Sequence, residues 1–221
     1  MGSARQKSTS ADRRARIEEM RRAEQSRERR NRMLTIGIST VIVLSLVGFG
    51  SYLFINEQNK QDKQDAAAEE AKNADIKGLQ EFDAKKLGRN HVTKAVTYPQ
   101  TPPVGGDHNQ AWMNCNGDVY AKAIPDMNAV HSLEHGAVWV TYNKQAKDAD
   151  IKALEEKVKA TPYSLMSPVD TQKGALMLTA WGKQVTVDSA KDPRVASFFA
   201  KFVQGEQTPE LGAACTNGLS L

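Results

Sequence analysis

Met33 to Ile55 reads MLTIGISTVIVLSLVGFGSYLFI, 23 residues without a charged side chain. As an α-helix this run is about 34 Å long, against a bilayer hydrocarbon core of about 30 Å. A cleaved signal peptide would carry an apolar stretch of about 7–15 residues followed by small residues at a cleavage site. Here the run is longer, 32 residues precede it, and it leads into Glu57-Gln58-Asn59-Lys60 with no A-x-A-like site. No cysteine follows the run to accept a lipid. The expectation is an uncleaved signal anchor over 33–55 that crosses the lipid bilayer once.

Its flanks orient it. Arg21, Arg22, Arg27, Arg29, Arg30 and Arg32 crowd the N-terminal side, and the first basic residue on the other side is Lys60. The positive-inside rule places residues 1–32 in the cytoplasm and residues 56–221 outside the cell membrane. The formal charge of +4 divides along the same lines. Residues 1–32 hold eleven Lys/Arg against five Asp/Glu, residues 56–88 six against eight, and residues 89–221 thirteen of each. A globular part with no basic excess is not a nucleic-acid-binding domain. The Arg-rich stretch reads as a topology determinant with helical pairs such as Glu18–Arg22, four residues apart.

Residues 56–88 are rich in Gln, Asp, Lys, Ala and Glu, with no apolar stripe before Ile76, Leu79 and Phe82. They read as a polar helical stalk whose end packs on a domain. Residues 89–221 suit one extracytoplasmic domain with its own core. Within it, His91–Tyr98 (HVTKAVTY) and Ala137–Tyr142 read as strands, and QTPPVGGDHN over 100–109 as a long turn. Lys147–Thr161 reads as a helix, with Ile151, Leu154 and Val158 on one face. Ala175–Trp181 and Gln184–Val187 form a hairpin across Gly182-Lys183. The last helix is capped by Asp192, starts on Pro193, buries Val195, Phe198, Phe199, Phe202 and Val203, and ends at Gly205. The fold class is α+β: a small mixed or antiparallel sheet with helices on one face.

Cys115 and Cys215 are the only cysteines. On the outer side of a membrane an even pair favours one disulfide. No C-x-x-C supports the alternative of a catalytic or metal-binding thiol.

The four histidines, His91, His108, His131 and His135, all lie within one short segment. His108 sits in Gly105-Gly106-Asp107-His108-Asn109, and His131-Ser132-Leu133-Glu134-His135-Gly136 is the densest polar constellation. Imidazole suits zinc and copper, and Glu134 can serve as ligand, base or supporting carboxylate. Met113, Met127, Met166 and Met177 offer thioethers for Cu(I), or simply fill the core. One condition decides the geometry. If residues 131–135 are helical, His131 and His135 share a face and can grip one ion. If the segment is extended, they lie about 13 Å apart and cannot. The alternative is a set of side chains that only hydrogen-bond loop backbone. The segment also matches H-x-x-E-H, the inverted zinc-protease motif, with Glu210 as a third ligand; that would make the protein a metal-dependent hydrolase. No P-loop, dinucleotide fingerprint or G-x-S-x-G is present.

Taken in order, His91-Val92, Tyr98, Pro102-Pro103-x-Gly105-Gly106-x-His108, Trp112, Cys115, the block Val130 to Val138, Ser167-Pro168, Ala180-Trp181-Gly182, Pro209-Glu210 and Cys215 resemble the bacterial domain-of-unknown-function family 3105. The resemblance covers roughly residues 85–216. Asn116 departs from it, standing between Cys115 and Gly117 where the family pattern runs Cys-Gly. The resemblance implies a membrane-anchored extracytoplasmic domain and no particular activity. No residue is assigned as catalytic. The leading expectation is a domain that binds copper or zinc through His108, His131 and His135, with His91 and Glu134. The second is a non-catalytic accessory module of a membrane or envelope complex, contacting a protein partner through its GG loop and Trp112.

Overall fold

The computed structural model describes residues 3–220, and side chains from residue 11 onward. The chain forms two units, residues 1–63 and residues 64–221. Helix α1 runs Ser3–Asn73. It contains the one stretch, among the described residues, long and apolar enough to cross a membrane, and that stretch is packed against nothing. Met33, Leu44, Leu46 and Phe54 are each about two-thirds exposed or more, which in a water-soluble helix would be a prohibitive apolar surface.

In the second unit six strands make one mixed sheet, in the order β1-β6-β5-β3-β4-β2. These are β1 Gln80–Glu81, β2 Asn116–Val119, β3 Val138–Tyr142, β4 Ser164–Pro168, β5 Leu176–Ala180 and β6 Lys183–Val187. β4 runs parallel to both β2 and β3, while β3–β5, β5–β6 and β6–β1 are antiparallel. The parallel β3–β4 pair requires a crossover, and α3 (Asp148–Lys159) supplies it.

Alternation along the central strands builds two apolar clusters. Val138, Val140, Met166 and Leu178 point to one face, where Leu154 and Val158 of α3 and Val195, Phe198, Phe199 and Phe202 of α4 (Pro193–Phe202) pack on them. Trp139 and Leu165 point to the other, against Ala129, Val130 and Leu133 of α2 (Asp126–Glu134). The helices expected on one face are thus α3 and α4, and α2 lies on the opposite one. Ile76 is buried in the first cluster and Leu79 packs beside it, as their apolar spacing implies.

Three local expectations need correction. HVTKAVTY is not a strand: only His91 makes a bridge, to His108, because the Pro102–Asn109 loop rather than a sheet strand lies beside it. The β5–β6 turn is Trp181-Gly182, with Lys183 already paired to Ala180. Helix α4 stops at a Val203 cap, and Gln204, not Gly205, takes the left-handed backbone conformation (φ +50°). Cys115 and Cys215 form the expected disulfide, with Cα atoms 4.7 Å apart and a sequence separation of 100.

A histidine and carboxylate cluster

Helix α2 carries the site. It starts after Pro125, with Asp126 in the first turn, where a carboxylate favours the helix N-terminus. Its apolar residues face the sheet, which leaves His131, Glu134 and His135 as one stripe at i, i+3 and i+4. The backbone N–H of His135 still bonds the His131 carbonyl (3.1 Å), so the helical geometry extends through both histidines, and their ring centroids are 4.4 Å apart. Of the two geometries open to residues 131–135, the one that lets His131 and His135 share an ion is the one adopted. Gly136 then ends the helix at φ +93°. A Cβ there would strike the Gln204 and Thr208 side chains, so glycine both turns the chain and admits the C-terminal loop.

The loop over residues 88–109 brings the other two rings. His108 N–H bonds the Asn90 carbonyl (3.0 Å) and its own carbonyl accepts from Val92 (2.7 Å). Asp107 Oδ1 accepts from the backbone and side-chain amides of Asn90, and the Tyr98 hydroxyl donates to the Asp107 carbonyl (2.7 Å). Gly105 (φ +144°) lies against Leu87 and the Trp181 indole, where no side chain would fit. The GG loop therefore faces inward. Trp112 also turns to the site, with its ring 5.6 Å from His131 and 5.0 Å from His135. Met113 and Met166 are in the apolar clusters.

Of the four imidazoles the other three pack around His131, with centroids 4.7 Å (His91), 4.8 Å (His108) and 4.4 Å (His135) from it. Three of the four are held alike. The Nδ1 atoms of His108, His131 and His135 lie 2.8, 2.8 and 2.7 Å from the carbonyls of Gly106, Asn109 and Ala214. A carbonyl can only accept, so each Nδ1 carries the proton and each Nε2 is left as the nitrogen free to ligate. This is how a protein fixes metal-binding imidazoles.

One ligating atom from each of His91, His108, His131 and Glu134 lies within 4.8 Å of all the others. A second group, His131, His135 and Glu210, meets the same condition. His131 belongs to both. His91 and Glu210 are the exposed members; the rest are at most 3 % exposed.

Electrostatics separates the buried rings. Burial lowers the His131 pKa to about 4, helped by the neighbouring His135, His108 and His91. Burial also lowers that of His135. For His108 burial acts the same way but is outweighed by the Glu134 carboxylate and the Gly106 carbonyl, which raise the pKa. Burial would raise Glu134, but the His108 contact and the nearby rings hold it below the usual carboxylate range. His108 Nε2 stands 2.9 Å from Glu134 Oε2, close enough for an ion pair, yet it has no hydrogen-bond partner in a suitable direction.

The sequence motif named His131, Glu134 and His135 together. It did not reveal Trp112 as their cover, the three carbonyls, or Gln204. Gln204 donates from Nε2 to the His135 carbonyl and accepts from Gly212 N–H, pinning the loop that carries Glu210.

A family model described as "Protein of unknown function (DUF3105)" matches residues 91–217, from the first site histidine to just past the second cysteine. No curated protein and no solved structure matches the chain.

Proposed function

The chain belongs to the DUF3105 family of proteins of unknown function, and we propose that it binds one transition-metal ion, zinc or copper, on a membrane-anchored extracytoplasmic domain. His91, His108, His131 and Glu134 are the ligands. The observation that carries this reading is the convergence of their ligating atoms within 4.8 Å, with two of the three rings fixed through Nδ1. Rings that only hydrogen-bonded loop backbone would have no reason to turn their free nitrogens toward one another. Three imidazoles and a carboxylate, with both cysteine sulfurs locked in a disulfide, suit Zn²⁺ or Cu²⁺ better than Cu(I). The outward placement of the domain rests on the arginine bias before the apolar run and agrees with an intact disulfide.

The test is elemental analysis and competition titration of the full chain in detergent. One equivalent of zinc or copper is expected, lost in His108→Ala and His131→Ala. Wild-type protein that retains no metal in either titration would remove the proposal.

A metal-dependent hydrolase is the second reading, favoured by one observation: Glu210 meets His131 and His135 as the third ligand of an inverted zinc-protease motif would. The motif's base, Glu134, is instead buried and paired with His108. Glu134→Gln abolishing a hydrolytic activity while metal stays bound would support it.

A further inference from the structure

Because His131 Nδ1 is held by the Asn109 carbonyl, only its Nε2 is free to ligate. One lone pair binds one ion. The two ligand groups that share His131 therefore cannot both be filled by ordinary coordination; a bridging imidazolate would first have to give up the Asn109 bond. The groups also differ in kind. The first supplies four donors, enough to close a tetrahedral site, and Glu134 within it is buried. The second supplies three, and the side chain of Glu210 is 47 % exposed. Three protein ligands leave a place open for an incoming one.

Resting on the metal-binding reading above, we propose that a single ion has two alternative positions pivoting on His131. The position at His91, His108, His131 and Glu134 holds it. The position at His131, His135 and Glu210 is where it is exchanged with an incoming ligand that supplies one donor atom. The exchange position is built, not incidental. Glu210 N–H bonds the Glu134 carbonyl (3.1 Å), Gln204 N–H bonds the Gly136 carbonyl (3.0 Å), and the Ala214 carbonyl orients His135. Glu210 Oε2 already lies 3.6 Å from His135 Nε2.

The experiment uses the full chain in detergent and zinc as the probe. Zinc is counted at saturation, and its transfer from the loaded chain to a chromophoric chelator is followed by stopped flow. One zinc per chain is expected. Glu210→Gln, a change at a half-exposed side chain, should slow transfer about tenfold while leaving equilibrium affinity nearly unchanged. His135→Asn should do the same, and thermal unfolding confirms that both variants are folded. Two zinc ions per chain, an unaltered transfer rate, or an affinity loss in Glu210→Gln as large as in Glu134→Gln would overturn the exchange position while leaving metal binding intact. No zinc on the wild-type chain would overturn both.

Discussion

His131 stays neutral where a free histidine would charge, and that has a consequence for the metal-free protein. Its folded pKa, about 4, lies below the unfolded value of 6.5. Between these the unfolded chain binds a proton that the folded one refuses, so stability falls as pH drops from about 6.5 toward 4. The limit is about 3 kcal/mol for this group. His108 works in the other window. Its pKa is raised, so its pairing with Glu134 contributes fully below 6.5 and is lost as pH climbs through the folded value. Apo stability is therefore expected to peak near pH 6.5, and His131→Asn should flatten the acid side; chemical denaturation across pH 4–8 reads both slopes. Glu134→Gln removes the buried charge that a cation would answer, and metal affinity should fall about 10–100-fold by competition titration. At this scale the sequence showed which side chains carry chemistry, because two imidazoles four residues apart with a carboxylate between them are visible as letters. It could not show the carbonyls of Gly106, Asn109 and Ala214 that set each ring's orientation, since any residue supplies a carbonyl.

Helix α2 is the element on which the site depends, and Gly136 is where it is tied to the C-terminal loop. Gly136→Ala places a Cβ against Gln204 and Thr208 at a positive φ, and should cost about 1–3 kcal/mol in denaturant midpoint. The variant should also transfer metal more slowly, because Glu210 is held through the same contact. α4 was legible almost residue by residue, since its cap, proline and phenylalanine face all agree. HVTKAVTY misled because β-propensity reports fitness for a pleated surface, and no sheet edge is offered to it. β2 and β4 went unread for the opposite reason. Asn116–Val119 and Ser164–Pro168 carry Asn, Gly, Ser and Pro, and become strands only by pairing with each other and with β3.

Across the whole molecule, the disulfide and the buried cluster both belong to the unit formed by residues 64–221. The disulfide closes a loop of about 100 residues, and opening it with Cys115→Ser and Cys215→Ser together should cost about 2–5 kcal/mol. Cys215 follows Ala214, so the same variant should loosen His135 and affect transfer more than affinity. The long apolar helix was readable from the uncharged run over 33–55; the meeting of residue 210 with residues 131 and 135 was not, because nothing in the spacing announces it. The central claim is that His91, His108, His131 and Glu134 hold one metal ion, and competition titration of the full chain with zinc and copper tests it most directly. The account predicts one tightly held ion per chain, lost in His131→Ala. A wild-type chain that binds neither metal, or a His131→Ala variant that binds as well as wild type, would contradict it.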